Sequence, residues 1–186
     1  MVHLTQLIKF SIAGNRNAQR NLYEMFAPKM FIVCMRYSKN REEAEDLVQE
    51  GFIKVFQSMQ QFKFEGSFEG WVRKIMVNCA LQKYRNKSHL HAVTAIENSQ
   101  DELIDSENII AALCTKELLN MVQQLTPAYQ MIFNLYVFEG MKHREIAVLL
   151  GITEGTSKSN LSAARSFLQK AVLRSTLVAK QSLNYL

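Results

Sequence analysis

Apolar residues recur along most of this chain at steps of three and four, and no segment alternates apolar and polar as a strand would. Leu4, Leu7, Ile8 and Ile12 predict a short first helix ending near Gly14. A second helical run extends from about Gln19 to Tyr37 on Leu22, Met25, Phe26, Met30, Val33, Cys34 and Tyr37. Pro28 lies inside it and predicts a kink or a split, because proline removes one backbone donor and crowds the preceding turn. Asn40, followed three residues on by Glu43, has the spacing of a capping box. Behind it Ala44, Leu47, Val48, Phe52, Val55, Phe56 and Met59 form one apolar stripe, and the opposite face carries Glu42, Glu45, Asp46, Gln49 and Glu50. Gln61 to Phe68 breaks the helical period and reads as a loop. Ser67 is placed to cap the next helix, from about Phe68 to Asn86. That helix has Val72, Ile75, Met76 and Cys79 on one side and a separate stripe of Trp71, Lys74, Asn78, Gln82 and Arg85, which suggests a presented face.

Periodicity is weak from 88 to about 108, and this polar, acidic segment reads as a linker. It resumes at Ile109 through Leu113, Leu118, Met121, Val122 and Leu125. Thr126-Pro127 signals a helix start, with threonine at the cap and proline at the first helical position. The helix it opens holds Ile132, Phe133, Leu135 and Tyr136 and stops near Gly140. The expected class is therefore all-α: two small helical domains joined by a flexible linker.

Composition narrows the choices. The chain has 186 residues, enough for one domain or two small ones, and 48% of them are apolar. Its 7 glycines and 2 prolines leave few breakers, which favours helix. The net charge of +5 is compatible with a polyanionic partner, but its distribution says more. Six basic residues lie between Lys63 and Lys87, whereas Ser88 to Thr115 holds Glu97, Asp101, Glu102, Asp105 and Glu107 and no Lys or Arg. Two working surfaces and a joint are implied. Cys34, Cys79 and Cys114 make no CxxC pair, so neither a disulfide framework nor a zinc site is expected. Cys79 falls on an apolar face and is expected in the core. His89 and His91 lack further ligands and are expected at the surface, with no metal and no cofactor. No signal peptide and no run of about 18 apolar residues is present, so no membrane insertion and a cytoplasmic, reduced location are expected.

The motif with the clearest geometry spans residues 143 to 172 and reads as a helix-turn-helix. His143 to Leu150 make the first helix, Gly151 closes it in the left-handed conformation, Ile152 plugs the corner, and Thr153 caps the second helix. Leu161, Ala164, Leu168, Ala171 and Val172 face inward, and the small Ala147 permits close approach. Lys158, Ser159, Ser162 and Arg165 face outward, with Lys170 and Arg174 beyond, and no acidic residue follows Glu154. Short polar and basic side chains near the N-terminal end of such a helix suit a major groove.

These stretches together carry a family resemblance. AEDLVQEGFIKVF (44–56), GSFEGWVRKIMVNCALQKYRNK (66–87) and LTPAYQMIFNLYVFEGMKHREIAVLLGITEGTSKSNLSAARSFL (125–168) resemble the extracytoplasmic-function sigma factors of the sigma-70 family, as does AQRNLYEMFAPKM (18–30). The resemblance implies a region 2 domain over 1–87, an acidic linker over 88–110, a region 4 helix-turn-helix domain over 111–177 and a tail over 178–186. It implies a transcription initiation factor that binds core RNA polymerase and confers promoter recognition and melting. Asp46, Gln49 and Glu50, on one side of a helix, match the segment that docks on the clamp coiled coil of the polymerase. Phe64, Phe68, Trp71, Lys74 and Asn78 match the loop and helix that melt the minus-ten element, where unpaired bases stack on aromatic rings and a flipped base is read by a polar group. Lys158, Ser159, Ser162 and Arg165 would read the duplex minus-thirty-five element. The linker resembles the segment that threads toward the polymerase active site and RNA exit path, and an anti-sigma factor is implied as a further partner. The chain departs from the family pattern at Lys142, Ser157, Asn160 and Ala163.

Plainer readings stand beside these. The aromatics near Trp71 could be core, and the acidic helix face could be solvated surface. No GxSxG, Walker loop or HExxH is present, so the chain is expected not to be an enzyme. A dimeric helix-turn-helix regulator that works without polymerase would need a ligand or dimerisation domain, which residues 1–87 do not resemble. A helical adaptor would not need the basic outer face of 154–174.

Overall fold

The computed structural model describes residues 2–90 and 115–183, and every regular element among them is helical. The chain divides into two compact units, Met1–His89 and Leu90–Leu186.

The first unit contains α1 (Val2–Ile12), α2 (Arg16–Met35), α3 (Arg41–Ser58), a single 3-10 turn at Met59–Gln61, and α4 (Phe68–Leu90). α1 and α3 both pack against α2. Asn15 starts α2 earlier than the apolar spacing implies, by accepting a hydrogen bond from the Ala18 N–H at 3.0 Å. Pro28 does not split this helix, which runs through it to Met35. Proline leaves the Glu24 carbonyl without its usual donor, and both residues are exposed, so the gap opens on the solvent side rather than in the core. Asn40 caps α3 by accepting from the Glu43 N–H at 2.8 Å, while the Glu43 carboxylate reaches back to the Lys39 N–H, one residue before the usual capping-box donor.

Leu22, Met30, Leu47, Val55, Met59, Val72 and Met76 are almost fully buried at the centre of this unit. Gly51 is buried mid-helix in α3, where glycine costs about 1 kcal/mol relative to alanine. Its place is explained by packing: a Cβ there would overlap the thioether of Met76 on α4. Met76 of α4 thus packs directly over the Gly51 backbone of α3.

The second unit contains α5 (Thr115–Gln123), α6 (Pro127–Val137), α7 (His143–Leu150) and α8 (Glu154–Leu183), with α5, α6 and α7 each packed on α8. Thr126 caps α6 and Pro127 is its first residue. The core consists of Val122, Leu125, Ile132, Phe133, Leu135, Ile146, Leu161 and Ala164, joined by Leu168 and Val172 further along α8. α8 continues to Leu183, so residues 178–183, expected as a tail, are helical. Residues 88–90, expected to open the acidic linker, are the end of α4, and the expectations for the rest of the linker and for His91 and Cys114 lie outside the described residues.

Candidate functional site

Three surfaces carry the residues singled out above, two on the first unit and one on the second.

On α3, Leu47, Val48, Gly51, Phe52 and Val55 are buried, which turns Asp46, Gln49 and Glu50 outward. All three are exposed. Glu50 pairs with Lys54 at 2.9 Å, Lys54 also donates to Gln82 Oε1 of α4 at 3.1 Å, and Arg41 pairs with Glu45 at 2.7 Å. The face is thus acidic, partly neutralised and anchored at one edge to α4. Ile53, 58% exposed, sits one turn beyond Gln49 on the same side. Sequence reasoning missed it; the available signal was that Phe52, Ile53, Val55 and Phe56 are more apolar residues than one buried stripe can absorb.

The second surface begins in the loop before α4. Phe62 and Phe68 are buried, Trp71 is half-buried, and Phe64 is 44% exposed. Their rings form a cluster, with centroids 5.0 Å apart for Phe62–Phe64, 5.1 Å for Phe62–Phe68, 5.4 Å for Phe62–Trp71 and 5.7 Å for Phe68–Trp71. Phe68 also meets Phe26 of α2 edge-on at 5.4 Å. The grouping of Phe68 with the DNA-facing aromatics therefore needs correction: its ring is spent on the core and offers no free face for a base. Phe64 has φ of 59°, a left-handed backbone that a phenylalanine rarely adopts. Ser67 caps α4 by accepting from the Gly70 N–H at 3.3 Å, and a Lys29–Glu69 pair at 2.6 Å ties the start of α4 to α2. Lys74 and Asn78, both exposed, continue from Trp71 along one side of α4. An aromatic patch followed by a cation and an amide can stack an unpaired base, hold a phosphate and read a base edge.

Cys34 and Cys79 belong to the core beneath these surfaces, and burial pushes the Cys34 thiol up to about 12, which makes it inert. Among the described residues no three His, Cys, Asp or Glu side chains gather as a metal site requires. No described helix is long and apolar enough to cross a membrane.

The third surface is built on the α7–α8 turn. Gly151 has φ of 68°, and the Ile152 N–H donates to the Ala147 carbonyl at 3.1 Å, which closes α7. Thr153 Oγ1 accepts from the Thr156 N–H at 3.0 Å and caps α8. Lysine at position 142 cannot accept a bond as a cap, but Glu145 substitutes by accepting the Lys142 N–H at 2.7 Å. Ser157 is fully buried, and its hydroxyl lies 3.0 Å from His143 Nδ1. A polar latch thus joins the two helices. Burial holds the His143 imidazole below its ordinary value, aided by Lys158 and Arg165 and opposed by Glu154.

Outward from this frame, Lys158, Ser159 and Arg165 are exposed and Ser162 is half-buried. Lys158 pairs with Glu154 at 2.8 Å, Ser159 Oγ donates to the Thr156 carbonyl at 3.1 Å, and the Arg165 guanidinium lies over the Tyr136 ring at 5.6 Å. Asn160 and Ala163 are half-buried and so contribute less to the outer face than their position in the sequence implies. The face is basic, with one acidic residue at its N-terminal edge.

Comparison with known proteins follows the same division. Residues 22–89 match the family described as Sigma-70 region 2, and residues 115–168 match Sigma-70, region 4. The chain is 28% identical over 184 residues to the ECF RNA polymerase sigma factor SigE of Mycolicibacterium smegmatis, covering 93% of this chain and 70% of that one. It is 26% identical over 168 residues to the ECF RNA polymerase sigma factor SigW of Bacillus subtilis, covering 84% and 90%. Among solved structures, it is similar to the sigma factor RpoE in complex with the anti-sigma factor NepR from Bartonella quintana, at 19% identity and a TM-score of 0.49 over 82% of this chain and 95% of that one.

Proposed function

The chain belongs to the sigma-70 family, among its extracytoplasmic-function members, and from that membership we propose how its three surfaces divide the work of starting transcription. It is a transcription initiation factor that binds core RNA polymerase and promoter DNA. In our reading Asp46, Gln49 and Glu50 meet the polymerase, with Ile53 as an apolar neighbour. Phe64 and Trp71 stack melted minus-ten bases, Lys74 follows their phosphates, and Asn78 reads a flipped base. Phe68 supports this patch from beneath. Lys158, Ser159, Ser162 and Arg165 contact the minus-thirty-five duplex. The functional domains are 1–87 and 111–177, and 88–110 is the segment between them that threads into the polymerase. The protein itself makes and breaks no covalent bond, works in the cytoplasm, and is held in check by an anti-sigma factor, as family membership implies.

One observation carries the reading: both sigma regions are present, in order, and each coincides with a separate compact unit that exposes its own polar face. The test is runoff transcription from genomic fragments with purified core polymerase, run beside DNA binding by the chain alone. Promoter-specific transcripts that require both chain and core support it. Specific duplex binding by the chain alone, with no transcript in the presence of core, would favour a polymerase-independent regulator instead.

A further inference from the structure

The second unit joins three elements through one aromatic ring that the roles assigned above leave unused. Tyr136 lies in the last turn of α6 and is half-buried. The His143 imidazole, on the first residue of α7, stacks on it with centroids 4.7 Å apart and planes 26° from parallel. The Arg165 guanidinium, on α8, lies over the same ring at 5.6 Å. His143 is itself latched to buried Ser157 of α8 at 3.0 Å. The ring is therefore braced from α7 and α8 and in turn carries the cation of the exposed basic face.

Arginine has many rotamers when free, and a guanidinium held over an aromatic ring loses much of that freedom while its donors stay available to a ligand. A side chain ordered before binding gives up less entropy when it meets its ligand. We propose that Tyr136 is a positioning residue for minus-thirty-five recognition: it does not touch DNA but sets the direction of the Arg165 guanidinium, with His143 and Ser157 holding the ring in place. This rests on the reading that the outer face of α8 meets the promoter. Sequence reasoning counted Tyr136 among the apolar residues of α6, because helical spacing cannot reveal which ring faces which cation on another element.

The experiment uses holoenzyme assembled from the full chain and core polymerase, promoter duplex affinity over a range of salt, and a thermal melt of every variant. Arg165→Ala should weaken binding by about tenfold and reduce the salt slope by about 1. Tyr136→Leu should reproduce most of both changes, Tyr136→Phe should behave as wild type, and the double variant Tyr136→Leu/Arg165→Ala should be no worse than Arg165→Ala. That non-additivity is what distinguishes positioning from a fold defect, which would add. Additive losses, or a Tyr136→Phe that binds as poorly as Tyr136→Leu, overturn the proposal. If Arg165→Ala itself changes nothing, the proposal falls together with the assignment of this face to DNA, and the failure is identified as that one. Should Tyr136→Leu melt too early to assemble, Arg165→Lys carries the test. It keeps the charge and loses the planar fork, so wild-type binding by Arg165→Lys overturns the positioning role.

Discussion

Phe64 is the residue for which structure and proposed function pull hardest against each other. Its left-handed backbone, with φ of 59°, costs a non-glycine residue about 1–2 kcal/mol. What offsets this is the ring, which is 44% exposed and packs on Phe62 with centroids 5.0 Å apart. A half-buried phenylalanine with one aromatic partner contributes roughly 1–2 kcal/mol. Phe64→Gly removes ring and strain together and adds about 0.5–1 kcal/mol of unfolded-chain freedom. The three contributions nearly cancel, and the expected net loss of about 1 kcal/mol lowers the melting temperature of a unit this size by roughly 4–8 °C. If the ring stacks a melted base, its loss removes about 1–3 kcal/mol from the open complex, or roughly 5- to 150-fold.

Permanganate reactivity of the promoter bubble in holoenzyme, beside a thermal melt, separates the two effects. Phe64→Gly should fold and fail to hold the bubble, while Phe64→Tyr should keep it. Phe68→Ala provides the contrast: its ring is buried against Phe26, Phe62 and Trp71, so its removal should cost about 3–5 kcal/mol and unfold much of the unit. A Phe64→Gly holoenzyme with wild-type permanganate reactivity would falsify the stacking role and leave the strained loop without a purpose.

Three further outcomes follow from the other surfaces. Asp46→Lys with Glu50→Lys should leave the melt nearly unchanged, because both residues are exposed and the Glu50–Lys54 pair is an ordinary surface i,i+4 pair, yet abolish core binding in a pull-down. Retained core binding by the folded double variant would reduce this face to solvated surface. Glu154→Gln frees Lys158 and removes the acidic group from the edge of the basic face, so promoter affinity in holoenzyme should rise a few-fold and its salt dependence should steepen; unchanged affinity would place Lys158 away from DNA. His143 has its folded value lowered, chiefly by burial, so its neutral form contributes stability above the ordinary histidine value, lost as pH falls through the folded value. The second unit should therefore melt earlier as pH drops from about 7.5 to about 5, and His143→Gln should flatten that slope; equal slopes would show that the imidazole stays neutral or is solvated in both states.

How far each of these residues could be read without coordinates depends on whether it sits on a helix with a long apolar period. On α3 and α8 the buried stripe is long enough to fix the opposite face, and Asp46, Gln49, Glu50, Lys158, Ser159 and Arg165 are all exposed as the spacing requires. Pro28 leaves a kink and a split equally open in the sequence, and only the structure shows that the helix continues and that the missing bond opens toward solvent. The start of α2 is missed because Asn15 acts through a side-chain bond, which leaves no trace in the apolar period.

The aromatic cluster shows the same limit at the site itself. Phe62, Phe64, Phe68 and Trp71 fall within ten residues, and composition alone treats them alike. The loop that carries the first two has no period to say which ring points inward. The decision comes from α2: Phe26 offers an edge-on partner to the residue that begins α4, so Phe68 is drawn into the core and Phe62 packs over it. With both inward places filled, Phe64 is forced outward on a strained backbone, and Trp71, one turn along α4, packs on the cluster and stays half-buried. In the proposed reading the two buried rings support exposed Phe64 and half-buried Trp71 as a stacking platform, and a residue whose mutation destroys promoter melting by unfolding the patch is to be told from one that touches the base by its melt, not by its activity.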